Sequence, residues 1–115
     1  MHRGEIYLVN LDPARRGEAN KHRPAVIVRN DGANSSAERS GQGVVTVVPL
    51  TSNVTRIYPF QVLLLAEATG LEVDSKAQAE QVRAISVDRL GPALGEVPHQ
   101  LMAGIDEALR LHLAL

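Results

Sequence analysis

The sequence predicts an α+β domain: a small, mostly antiparallel, barrel-like sheet with one C-terminal helix. Three observations predict it. Short apolar runs, alternating or continuous, recur as far as Ile85 and are broken by polar turns, as short strands require. One stretch alone, at the C-terminus, spaces its apolar residues by three and four. The chain has 115 residues, 44% hydrophobic and 22% charged, enough for one core without a disulfide or metal and too little for two, so residues 1–115 form a single domain.

Each element follows in order. Glu5 to Asn10 sets Ile6 and Leu8 against Tyr7 and Val9 and reads as a strand. Leu11 to Arg23 is LDPARRGEANKHR, a polar loop long enough to be functional or disordered. Pro24 to Val28 suits a buried strand, with Pro24 expected only at its start because proline donates no ladder bond. Asn30 to Arg39 is polar, with a helical turn expected near Ala33 to Glu38. Val44 to Leu50 is a second buried run, in which Pro49 marks an end or a bulge. Thr51, Ser52 and Asn53 turn the chain. Phe60 to Leu65 makes a further strand, followed by a turn through Thr69 and Gly70. Lys76 to Ile85 is polar but carries Ala77, Ala79, Val82 and Ile85 and reads as extended. Pro98 suits the first helical position, and Leu101, Ile105, Ala108 and His112 form a stripe that Met102 and Leu109 widen. That helix covers a sheet face or a barrel end, and His112 reads as a core or interface histidine.

Composition excludes several chemistries. The absence of cysteine removes disulfide scaffolds, thiolate metal sites and cysteine nucleophiles, and fits a cytoplasmic protein. No apolar run approaches the ~20 residues that span a bilayer, and Glu5 and Asp12 interrupt the N-terminus, which is no signal peptide. There is no P-loop, GxGxxG or HExxH. His2, His22, His99 and His112 lack metal-ligand spacing, and Asp74 with Glu80 is thin support for a metal-dependent nuclease, so neither metal nor cofactor is expected. With only Tyr7, Tyr58 and Phe60 as aromatics, a broad base-stacking platform is not expected either. Net charge is −1, yet residues 1–60 hold eight Lys/Arg against five Asp/Glu, and residues 61–115 hold four against eight. The densest basic stretch is Arg15, Arg16, Lys21, His22 and Arg23, which can meet phosphate although the whole chain is near neutral.

Arg23 then stands out, at the junction of the basic loop and a buried strand. An arginine fixed there can bind phosphate bidentately and stabilise developing charge. Thr51, just past another buried strand, can orient a phosphate oxygen. Spacing alone does not bring the two together, and taken alone it favours a surface arginine and a turn threonine.

The segments RGEIYLVNLDP (3–13), GEANKHRPAVIV (17–28), VVPLTSN (47–53), YPFQVLL (58–64) and EQVRAI (80–85) span most of the chain. In this combination and order the sequence resembles the MazF/PemK family of toxin endoribonucleases. The resemblance implies an SH3-like antiparallel barrel with a C-terminal helix, of the CcdB/Kid/MazF type, assembled as a homodimer. It implies metal-independent, sequence-specific cleavage of single-stranded RNA, mRNA above all. The substrate's own 2′-OH attacks, leaving a 2′,3′-cyclic phosphate and a 5′-OH. Arg23 matches the family's catalytic arginine, Thr51 the threonine at the scissile phosphate, and Glu18 a loop glutamate implicated in activity. Arg15, Arg16, Lys21, His22, Ser52, Asn53 and Gln81 are the matching RNA-binding candidates. The implied partner is a MazE-like antitoxin whose acidic, apolar tail blocks the RNA groove. Two departures stand out. Glu80 replaces the Asp of many members, and Gln78 stands where the branch that uses that Asp as a base carries an arginine, so the Arg/Thr branch is the better guide. A CcdB-like gyrase-binding toxin, the chief alternative, should lack both the RP arginine and the PLTS threonine. A non-catalytic RNA-binding barrel is the other.

Overall fold

A computed structural model describes residues 1–11, 22–33, 41 and 43–115. Among these the strands are β1 (Glu5–Asn10), β2 (His22–Ile27), β3 (Val44–Thr51), β4 (Gln61–Leu64), β5 (Ser75–Gln78), β6 (Arg83–Ser86) and β7 (Leu90–Glu96). The helices are α1 (Ala66–Thr69) and α2 (His99–Leu113). The fold is α+β, with every strand pair antiparallel and the helix at the C-terminus. The sheet runs β4-β5-β3-β2-β1-β7, with β6 also on β3.

The hydrogen bonding does not close this sheet into a barrel: β4 and β7 end the path and do not pair. Chain geometry gives the reason. Four-residue β4 leads into α1 one residue later, and it is the Thr69–Gly70 turn that meets β7. A Cβ on Gly95 would lie 2.2 Å from the Thr69 carbonyl oxygen, so only glycine permits this backbone approach. Gly70, at φ 83°, supplies the left-handed cap that ends α1.

Both faces of the sheet are apolar, which is why β2 and β3 read as continuous hydrophobic runs. One face carries Val9, Ala25, Ile27, Val45, Val47 and Ile85, joined by Met1 and Leu11. The other carries Ile6, Val26, Val48, Leu50, Leu64 and Ala77, and here α2 packs through Met102 and Ile105. Leu101 and Leu109 flank that contact, half-buried. His112 is exposed, as is every residue from Arg110 onward, because the last turn of α2 extends past the part of the helix that Ala108 buries; it is not a core histidine. No helix among the described residues is long and apolar enough to cross a membrane. Arg3 ties the N-terminus to α2: its Nε donates to the Val28 carbonyl at 2.9 Å and its Nη2 to Asp106.

Several boundaries differ from expectation. β2 starts at His22 rather than Pro24. Pro24 is tolerated inside the strand because β3 pairs with β2 only from Ala25, leaving Pro24 paired on one side, opposite Leu8. Pro49 does mark a change: β3 pairs with β6 as far as Val47 and with β5 from Leu50. The same switch breaks the segment expected to be extended over Lys76 to Ile85. Its two halves pair with opposite ends of β3, and a 3₁₀ turn at Ala79–Gln81 carries the chain between them. β7 carries Gly91, Pro92 and Gly95 and has no alternating pattern, so no strand was expected there. Pro98 caps α2 one residue outside the helix, its carbonyl accepting from Leu101 and Met102 N–H. The helical turn expected near Ala33 to Glu38 lies, past Ala33, outside the described residues.

Candidate functional site

Strand register assembles the site. β2 and β3 pair Ile27 with Val47, Val26 with Val48 and Ala25 with Pro49. Continued along the same face, that register sets Arg23 opposite Thr51. On the other side of β2, Arg23 pairs with Val9; on the other side of β3, Thr51 pairs with Lys76. Arg23 and Thr51, 28 positions apart in the sequence, thus lie at the same end of β2 and β3, two residues past the last pair of the two strands.

This end opens into a cavity of about 380 Å³ lined by His22, Arg23, Pro24, Leu50, Thr51, Ser52, Val73 and Ser75. A second cavity of about 410 Å³ shares Pro24, Val73 and Ser75 and continues past Leu71 to Leu94, so the two make one groove. Arg23 and Thr51 are half-buried, held at their backbones by the sheet, and both line the cavity. Thr51 Oγ1 accepts the Asn53 N–H at 3.3 Å, which orients the hydroxyl and leaves its hydrogen to donate. Asn53 Oδ1 in turn accepts the Thr55 N–H at 3.3 Å. A planar guanidinium beside a hydroxyl donor, over a concave floor, is a site for a tetrahedral anion such as a phosphodiester.

Of the residues singled out in the sequence, the cavity therefore unites Arg23, Thr51, His22 and Ser52. Asn53 is exposed beside it and shapes the turn. Gln81 is exposed at the end of the 3₁₀ turn and does not line the cavity. Arg15, Arg16, Glu18 and Lys21 lie outside the described residues. The two carboxylates weighed as a metal pair have other work. Asp74 Oδ1 accepts the Ala66 N–H at 2.8 Å at the start of α1, and Glu80 Oε2 accepts from Gln61 Nε2 at 2.8 Å. Lys76, Val73 and Ser75 were missed. Lys76 reads as one cation in a polar stretch, and only the pairing with β3 sets it opposite Thr51.

Comparison with known proteins gives the family. Residues 2–113 match the family described as PemK-like, MazF-like toxin of type II toxin-antitoxin system. The chain is 60% identical over 115 residues to Endoribonuclease MazF9 of Mycobacterium tuberculosis, covering 100% of this chain and 98% of that protein. It is 30% identical over 114 residues to Endoribonuclease EndoA of Bacillus subtilis, covering 98% and 94%. A solved endoribonuclease in complex with its cognate antitoxin, from a mycobacterial species, superposes with a TM-score of 0.77 at 26% identity and covers 100% of this chain and 96% of its own. On the family match and these relatives, the chain belongs to the PemK/MazF family of toxins of type II toxin–antitoxin systems.

Proposed function

We propose that this chain is an endoribonuclease toxin that cleaves single-stranded RNA, mRNA above all, at specific sequences and without a metal ion. The observation that carries the reading is that Arg23 and Thr51 line one cavity. The relatives named as endoribonucleases support the same activity.

The chemistry follows from the groups present. The 2′-oxygen of the substrate attacks the adjacent phosphorus and loses its proton. The bond to the 5′-oxygen breaks, and that oxygen takes up a proton. The products are a 2′,3′-cyclic phosphate and a 5′-OH. Negative charge builds on the non-bridging oxygens, and Arg23 stabilises it by paired N–H donors. Arginine stays protonated at neutral pH, so its role is charge stabilisation rather than proton transfer. Thr51 donates to one phosphate oxygen. Glu18 is the remaining catalytic candidate, orienting either the 2′-OH or Arg23. Arg15, Arg16, Lys21, His22, Ser52, Asn53 and Gln81 extend the RNA contacts around this centre.

The active species is a homodimer in the cytoplasm, and an acidic antitoxin segment inhibits it by competing with RNA for the basic groove. The solved relative bound to its antitoxin supports the partner. Cleavage of a mixed-sequence RNA in EDTA, with the ends mapped, tests the activity. Cutting is expected to persist, to leave cyclic phosphate ends, and to vanish where the 2′-OH of the cut nucleotide is replaced by hydrogen. Undiminished cutting of that deoxy-substituted RNA overturns the mechanism. No cutting at all favours a CcdB-like or purely RNA-binding role.

A further inference from the structure

The cleavage chemistry leaves one proton without a source. The departing 5′-oxygen must take one up, yet Arg23 keeps its protons at neutral pH and the Thr51 hydroxyl is no acid there. An ionised glutamate such as Glu18 accepts a proton or a hydrogen bond but cannot supply one. Among the described residues that line the cavity, only His22 is of a type that both holds and releases a proton near neutrality.

A second observation points at the same side chain. Asn10, the last residue of β1, pairs with His22 across the β1–β2 ladder. Side chains so paired lie on the same side of the sheet with Cβ atoms about 4.5–5.5 Å apart. Asn10 Oδ1 is buried and meets no hydrogen-bond donor among the described residues. A buried acceptor left in this way is costly, and it calls for a donor that arrives later. The backbone around it is fixed, because Arg89 Nη1 donates to the Asn10 carbonyl at 3.2 Å. His22 is exposed, so its ring is free to turn toward Asn10 when a substrate covers it. An imidazolium carries a hydrogen on each ring nitrogen. One can be held by Asn10 Oδ1 while the other is aimed at the reacting atoms, as in other sites where an oxygen acceptor orients a histidine. Arg23 follows His22 on β2 and Arg89 bonds its pair, both of them cations. The scissile phosphate brings the negative charge that lets an imidazolium stand between them.

We propose that His22 is the catalytic residue that protonates the departing 5′-oxygen, with Asn10 as the positioning residue whose side-chain oxygen holds its ring. As the bond from phosphorus to the 5′-oxygen breaks, the imidazolium gives that oxygen its proton and becomes neutral imidazole, which regains a proton from solvent. This rests on the RNA-cleaving reading above.

The test compares two substrates of one sequence in single-turnover cleavage: ordinary RNA, and RNA whose scissile 5′-oxygen is replaced by sulfur. A thiolate is a good leaving group and departs without a proton. On ordinary RNA, His22→Ala should slow cleavage by about 10²–10⁴, the usual worth of a positioned acid. On the sulfur-containing RNA it should cut as fast as the wild type, which also shows that the variant is folded. Asn10→Leu should slow cleavage of ordinary RNA by about 2- to 10-fold, the loss of one hydrogen bond, and leave cleavage of the sulfur-containing RNA unchanged. Asn10→Asp, which keeps an oxygen acceptor, should restore the rate on ordinary RNA. A wild-type rate for His22→Ala on ordinary RNA overturns the proposal, as does an equal loss on both substrates, which would make His22 a contact and not an acid. An equal loss on both substrates for Asn10→Leu, or no rescue by Asn10→Asp, overturns the positioning role. In each of these cases the wild type still cuts RNA, and the RNA-cleaving reading stands. A wild type that cuts neither substrate overturns both.

Discussion

Two ends of one ladder behave as different materials. At one end of β2, Ile27 faces Val47 of β3, and both are fully buried. Four residues back along β2, Arg23 lines a cavity with Thr51, both half-buried. At the apolar end β2 and β3 pair with each other, whereas at the polar end Arg23 is held by β1 and Thr51 by β5. The apolar end keeps β2 and β3 in register, and that register is what aligns the polar end. Stability and chemistry are therefore separable by position along a single pair of strands, with Ala25 and Pro49 as the boundary.

The sharpest way to break this comparison is to injure the apolar end. Ile27→Ala removes a wholly buried side chain between Ala25, Val45 and Val47 of the same core cluster and should cost about 2–5 kcal/mol of stability. A thermal melt reads it, and cleavage per folded molecule should stay near wild type at temperatures where the variant is folded. An unchanged melting temperature would show that this end does not hold the register.

The converse experiment injures the polar end. Arg23→Ala should lower the cleavage rate by about 10²–10³, as loss of one preorganised donor to a developing anion does. Its melting temperature and circular dichroism should match wild type, because Arg23 lies at the start of β2 and fills no core space. Thr51→Ala removes a single neutral hydrogen bond, worth about 0.5–1.5 kcal/mol, and should slow cleavage by about 2- to 10-fold. A wild-type rate for Arg23→Ala sinks the site assignment; a larger loss for Thr51→Ala than for Arg23→Ala reverses the roles.

The smallest effect lies one residue before β2. Lys21→Gln removes a cation from the basic stretch while leaving Arg23 in place. The slope of log binding constant against log salt for single-stranded RNA should become shallower by about 0.7, the value for one phosphate contact. An unchanged slope would show that Lys21 makes no phosphate contact.

How far the sequence reaches is clearest at particular residues. Ile6 against Val9, the runs through Val26 and Val48, and the stripe of Met102, Ile105 and Ala108 were legible because side-chain period is a local property of strands and helices. The family motifs were legible for a related reason: RP before a buried run and PLTS after one are fixed spacings within single strands. β7 escaped notice because glycine and proline interrupt it, and its place depends on β1 accepting it and on the Thr69–Gly70 turn leaving room for Gly95. The break at Ala79–Gln81 escaped for the same kind of reason, since it exists only because β3 changes partners at Pro49.

Sequence by itself determined which residues are apolar and most of the strands they build, and it singled out Arg23 and Thr51 as candidates for acting on a phosphate. Tertiary structure alone decided that the two line one cavity, that Lys76 pairs with Thr51, and that the rings of Tyr58 and Phe60 stack. The sheet's failure to close and the exposure of His112 were likewise decided in space. The physical reason is common to all of these. Periodicity is set by the bonds between adjacent residues, whereas register, closure and cross-strand contact are set by which distant segments bury each other. A chain states that second choice only when it has folded.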